Sequence, residues 1–394
     1  MTDRTGTGTT TRGSRRLWLL GIVTAMAVVA CAPGPRPGPG GGGTTPPPAW
    51  RYPGDEWETV PPAEAGLDAA ILDGLAAEAE AAGSTCMVVT RDGAVVDERY
   101  WQGATADTPR EAWSVTKSVT GVLAGIAEDE GALSLTDPAA DHIPEWQGTE
   151  SEAVTVDNLL RNDSGRHWSI ASDYVEMAIR APDKTAYAIG LAQDSPPGEV
   201  WAYNNAAVQT LSAVLESATG RPAKDYAEEV LFDRIGMARS DMTTDQAGNT
   251  LTFMGMQSTC LDLARFGYLM MRDGAWDGEQ VVSEDYVEQA VGGSSTPLNA
   301  AYGRLFWLNR EGRIVSPLLA TGGAGGGSEP VTEGQVVPGA PDDIFWALGF
   351  NNQVVTVIPS EGVVAVRMGP KPPADAPFSH VEMTEALLEA AGEP

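Results

Sequence analysis

The strand-like runs of this chain sit at its two ends, and that placement restricts its fold more than any other feature. Thr85 to Thr90 and Ala94 to Trp101 are β-rich runs around Arg91-Asp92-Gly93, a hairpin signal. Tyr302 to Asn309, Ile344 to Gly349, Val354 to Ile358 and Val363 to Met368 are short, apolar and separated by turns. Between them the chain reads as helices and loops. Helical spacing marks Ala63 to Ala82, Ser114 to Asp129, Ala206 to Ser217, Ser258 to Arg272 and His380 to Ala391. A sheet made from such runs is assembled from both chain ends, with a helical region inserted between them. The expected class is α+β, with residues 59–130 and 275–394 as the α/β sheet region and 131–274 as a mainly helical region. Pro317 to Asp343 is Gly/Pro-rich and is expected to be a lid or a flexible loop; no Lys-Ser/Thr follows its glycines, so it is not a phosphate-binding loop.

The first 58 residues stand outside that plan. Arg15 and Arg16 precede a 14-residue apolar run, Leu17 to Ala30, too short to span a bilayer as a helix and suited to a signal peptide over residues 1–30. Val28-Val29-Ala30-Cys31 resembles a bacterial lipobox, which makes Cys31 the expected lipidation site; Ser14 to Leu19 also resembles a twin-arginine export signal. The Pro/Gly-rich residues that follow, up to Pro48, cannot bury apolar surface and act as a spacer, within an expected linker over 31–58. The expected location is therefore the extracytoplasmic face of the cell membrane, held by the lipid alone. Charge cannot do it: the chain carries 25 Lys+Arg against 54 Asp+Glu, net −29, and loss of residues 1–30 removes a further net +3 to leave −32. The same field excludes sequence-general nucleic-acid binding. His142, His167 and His380 are widely separated and no C-x-x-C spacing occurs, so neither a metal nor any other cofactor is implied. Cys86 and Cys260 are a disulfide candidate in an oxidising compartment, or two small buried thiols.

The chemistry lies in Trp113-Ser114-Val115-Thr116-Lys117-Ser118-Val119-Thr120-Gly121. Of the four lysines, only Lys117 has a serine three residues before it. Chance alone gives roughly a one-in-four probability of such a match at ordinary serine usage, so context decides. On a helix, residues three apart share a face, which brings the Lys117 amine to the Ser114 hydroxyl. Apolar flanks bury that amine, depress its pKa and fit it to take the serine proton. The competing reading has Ser114 capping a helix while Lys117 reaches out to solvent.

This segment resembles the active-site helix of the serine β-lactamase and penicillin-binding-protein superfamily, and in particular its class C-like branch of esterases, D-amino-acid amidohydrolases and 6-aminohexanoate-dimer hydrolases. Pro197-Gly198-Glu199-Val200-Trp201-Ala202-Tyr203-Asn204-Asn205 resembles the family's P-G-x-x-[WF]-x-Y-[SA]-N segment. The resemblance makes Tyr203 the partner acid or base and Asn205 a group that orients substrate and lysine; the competing reading is a helix start, capped by Asn204 or Asn205. Val156 to Gly165 and Met256 to Gly267 resemble the family's "DLLxxxSG" and "S-x-x-D-L-A-R-F" segments and carry no assigned chemistry. Tyr174, in the loop after Trp168, is placed to reach substrate as loop tyrosines do in the dimer-hydrolase branch. The implied fold is β-lactamase/transpeptidase-like: an antiparallel sheet flanked by helices with an inserted all-helical region.

The pattern breaks at the third motif, [KH]-[ST]-G on a strand lining the site. Phe345 to Gly349 is its counterpart, with Gly349 as a substrate-binding position, and no cation stands there. A missing contact of that kind removes about 2–5 kcal/mol of attraction for a substrate carboxylate. The expected activity is therefore acyl-enzyme hydrolysis of a small ester or amide, with an oxyanion hole from the Ser114 N–H and one N–H on the late strand. The alternatives are a D-Ala-D-Ala carboxypeptidase or β-lactamase, and a catalytically silent cell-envelope binding protein of the same fold.

Overall fold

The computed structural model describes residues 50–318 and 331–392. Cys31, the signal peptide over 1–30, most of the linker and the glycine run Thr321 to Gly327 lie outside the described residues.

In chain order, the elements that build the site begin with α1 (Ala69–Ala81), β1 (Cys86–Arg91), β2 (Ala94–Tyr100), β3 (Arg110–Glu111) and α2 (Val115–Asp129). The middle of the chain supplies a π-helical segment, Ala171–Arg180, then α3 (Asn205–Gln209), α4 (Leu211–Thr219), β4 (Asp241–Met242), β5 (Met256–Ser258) and α5 (Cys260–Met271). The end returns to the sheet with β6 (Trp307–Leu308), β7 (Phe345–Gly349), β8 (Gln353–Ile358), β9 (Val363–Met368) and α6 (His380–Ala391).

Six strands form one antiparallel sheet in the order β2-β1-β9-β8-β7-β6, so β1 from the start of the chain pairs with β9 from its end. Both faces are covered, and alternation along the strands shows it. Val364 and Val366 of β9 and Val355 and Val357 of β8 pack with α2 and α5. Val363, Ala365, Val354 and Ile358 face the other way, toward α1 and α6. Full burial of each such valine or isoleucine side chain contributes about 1.5–3 kcal/mol. The α5 helix lies so close that a Cβ at Gly267 would come within 2.6 Å of Val364.

Several expectations change. The first helix starts at Ala69, not Ala63, because the Asp68 carboxylate caps it by accepting from the Ala70 and Ile71 amides, and residues 62–66 form turns. Tyr302 to Asn309 is not a continuous strand: only Trp307 and Leu308 pair with β7, and Leu305 has φ 61°. Its apolar residues are there to pack. The predicted 206–217 helix is two helices meeting at Thr210. The inserted region is not all-helical, since β4 and β5 pair with β3 in a separate three-stranded sheet. Helix α5 falls within residues 131–274 yet packs on the main sheet. Cys86 and Cys260 are joined as a disulfide that ties β1 to the first residue of α5.

Candidate active site

Ser114 stands at the start of α2 with its side chain making no cap bond. The hydroxyl is instead met by Lys117 Nζ at 3.0 Å. Lys117 is 1% exposed, so the solvent-directed alternative is excluded. Its amine also donates to the Phe253 carbonyl at 2.8 Å and lies 4.7 Å from the centre of the Tyr203 ring. Burial pulls its pKa from 10.5 down to about 7, and the negative charge of Asp173 acts in the opposite direction. An amine so placed is in large part neutral from about pH 7 upward, where it can accept a hydroxyl proton.

The turn before the serine is strained. Trp113 has φ 50°, a left-handed conformation that costs a bulky residue about 1–3 kcal/mol. Its neighbours hold it there. The Ala112 amide donates to the Met256 carbonyl at 2.8 Å, and Thr116 donates to the Trp113 carbonyl through its amide and its hydroxyl. The Phe350 ring meets the Trp113 indole edge-on at 5.4 Å. This is how β5, far along the chain, fixes the turn that carries Ser114.

Gly349 closes the other side. A Cβ there would come 2.4 Å from the Ala112 carbonyl oxygen and 3.2 Å from Trp113 Cβ, so only a glycine lets the end of β7 approach the serine turn. Asn351 and Asn352, with φ 63° and 59°, turn the chain from β7 into β8. The buried guanidinium of Arg367 donates to both of their carbonyls at 2.9 Å. No cation stands on β7 itself.

Tyr203 is buried beside the Lys117 amine, and the Ser114 side chain opposes the effect of that burial on its phenol. Burial raises its pKa well above the ordinary value of 10, so it is a neutral phenol near pH 7. Trp307 stacks on its ring at 5.7 Å and Tyr302 meets it edge-on at 6.1 Å. Asn204 does cap α3, accepting from the Ala207 amide, while Asn205 beside it donates to Asp173. Tyr174 is in the π-helical segment rather than a loop, and the Asn205 side chain opposes the effect of burial on its phenol.

Sequence reasoning missed three participants. Asp173 is 1% exposed and accepts from the Asn205 amide at 3.2 Å, the Asn205 side chain at 2.7 Å and the Ala206 amide at 2.7 Å. Its position beside Tyr174 was the one signal for it. The Phe253 carbonyl and the Trp113 backbone carry no residue-type signal. Among the described residues, no group of three His, Cys, Asp or Glu side chains is placed to hold a metal ion.

Known proteins resemble this chain in sequence and in fold. The Beta-lactamase family profile matches residues 69–387. The chain is 27% identical over 226 residues to the 6-aminohexanoate-dimer hydrolase of Paenarthrobacter ureafaciens, covering 53% of this chain and 57% of that protein. It is 29% identical over 172 residues to a D-aminopeptidase of Cereibacter sphaeroides, covering 40% of this chain and 32% of the relative. The chain thus spans little more than half of the first relative's length and a third of the second's. A penicillin-binding-protein homologue from Caulobacter crescentus superposes with a TM-score of 0.57 at 16% identity, over 80% of this chain and 93% of that one, a likeness of fold.

Proposed function

The chain belongs to the beta-lactamase family, and from that premise we propose that it is a serine hydrolase working through an acyl-enzyme on a small ester or amide. The observation that carries the reading is the 3.0 Å contact between a solvent-excluded lysine and a serine hydroxyl free of any capping duty. Ser114 Oγ attacks the substrate carbonyl carbon while Lys117 takes the hydroxyl proton. The oxyanion is held by the Ser114 amide and by an amide at the end of β7, where Gly349 approaches the serine turn. Tyr203, whose ring lies 4.7 Å from the Lys117 amine, relays the proton to the leaving group as the carbonyl reforms, and water then hydrolyses the ester to Ser114. Asn205 and Tyr174 orient the substrate.

Esters and small amides are favoured over β-lactams and D-Ala-D-Ala peptides because β7 offers no cation for a substrate carboxylate. The relatives named for aminohexanoate dimers and D-amino peptides fit amide hydrolysis on this scaffold. The test is labelling by a fluorophosphonate together with turnover of short p-nitrophenyl esters. Ser114→Ala removes both if the reading is right; labelling that persists in the variant rejects this serine. Rapid nitrocefin turnover by the wild type reverses the substrate preference. The reading also places the protein outside the cytoplasm, anchored by a lipid on Cys31, as the lipobox-like sequence implies. Incorporation of a fatty-acid analogue that survives Cys31→Ser refutes that placement.

A further inference from the structure

Among the described residues, Lys117 is the one charged group hydrogen-bonded to the serine side chain, and its amine faces few others. It meets Ser114 Oγ, the Phe253 carbonyl and the rings of Tyr203 and Phe253. Among the described residues, the opposite charge that acts on it is the carboxylate of Asp173, from the π-helical segment. Tyr203 and Tyr174 are also close, but burial holds both phenols neutral. Among the described residues, no arginine or lysine is hydrogen-bonded or ion-paired to Asp173. It is held by three N–H donors at the start of α3, from Asn205 and Ala206.

We propose that Asp173 is a positioning residue: its ionised carboxylate fixes the start of α3, and with it Asn205 and Tyr203, while its charge strengthens Lys117 as the base that serves Ser114. The inference rests on the acyl-enzyme reading above. A buried, uncompensated amine would lose so much proton affinity that it would be a feeble base, and one buried negative charge corrects that. The same burial raises the carboxyl pKa of Asp173 to about 6, while the N–H donors and Lys117 pull it back. The competent site therefore has Lys117 neutral and Asp173 charged, and acid removes both conditions.

The experiment is the pH profile of kcat/KM on a neutral p-nitrophenyl ester, for wild type, Asp173→Asn and Asp173→Glu. In each variant Ser114 labelling by a fluorophosphonate is followed alongside, and folding is checked by circular dichroism. Asp173→Asn is expected to lower kcat at least tenfold and to move the acid limb down by about one pH unit, because Lys117 loses the charge that raised its pKa. Asp173→Glu, which keeps the charge, returns the limb to the wild-type position even where kcat stays low. An acid limb that does not move in Asp173→Asn, with Ser114 labelling intact, overturns the inference and leaves the nucleophile in place. Absence of Ser114 labelling in the wild type instead overturns the reading beneath it. If Asp173→Asn does not fold, the wild-type profile decides: a limb steepening to a slope of two supports the assignment, and a slope of one throughout rejects it.

Discussion

Replacing Lys117 with methionine should make this protein more stable while destroying its chemistry. A lysine whose pKa falls from 10.5 to about 7 on burial weakens the folded state by on the order of 5 kcal/mol at pH 7 and below, at about 1.4 kcal/mol per pH unit. The side chain is 1% exposed, so solvent screening takes little from that figure. Methionine has similar length and no charge to desolvate. Against the gain stands the Phe253 carbonyl, which loses the donor at 2.8 Å and costs about 1–3 kcal/mol when left unpaired. The net expectation is a gain of about 2–4 kcal/mol near pH 6, read as a rise of several degrees in apparent melting temperature with the disulfide intact. The sign of the pH dependence is fixed as well. The folded-state pKa lies below the unfolded one, so the wild type recovers stability as pH rises from about 7 toward 10.5, and the advantage of Lys117→Met should shrink over that range. Thermal unfolding at pH 6, 7.5 and 9, with fluorophosphonate labelling at each, measures both halves. A variant less stable than wild type at pH 6, or an advantage that grows with pH, refutes the reasoning.

Two other perturbations test the scaffold around the nucleophile. Gly349→Val should slow Ser114 labelling about a hundredfold while leaving the circular dichroism spectrum unchanged, since a Cβ 2.4 Å from the Ala112 oxygen must push β7 away from the serine turn; labelling at the wild-type rate shows that β7 supplies nothing to the oxyanion. Cys260→Ser opens a covalent link between residues 174 apart and should lower stability by about 2–5 kcal/mol in urea unfolding, an effect that reductant reproduces on the wild type and does not add to in the variant.

The parts of the fold that the sequence reveals are those where period and burial agree. Val363 to Met368 and His380 to Ala391 match the observed elements residue for residue, because β9 is apolar but for Arg367 and α6 has a serine cap and a glycine stop. Tyr302 to Asn309 misleads for a physical reason. Tyr302 and Trp307 are apolar to fill the aromatic cluster behind Tyr203, and a run of large side chains reads like a strand whether or not it pairs. The two-residue strands β3 and β4 and the short β5 have no legible period at all, yet they connect residues 110–116 to 253–258 and so set the serine turn.

The site divides along the same line. Ser114 and Lys117 are legible because helical spacing and an apolar flank state a chemistry by themselves, and Tyr203 and Asn205 because a resemblance supplied it. Asp173 is not, being one of 54 acidic residues in a chain where an acid on a polar segment ordinarily faces water. What buries it is a tertiary event: the π-helical segment packs against the first turn of α3 and delivers a carboxylate to amides that no helix could satisfy internally. Phe253 contributes a backbone oxygen, which any residue could have supplied, and Trp113 adopts a conformation that its side chain disfavours. The strain at Trp113 and the buried charge on Asp173 both oppose local preference, and both lie within contact of the serine–lysine pair or its partners. A stable fold tolerates such conflicts only where surrounding contacts fix them, so positions at which local expectation fails around Ser114 are where variants should alter rate more than fold.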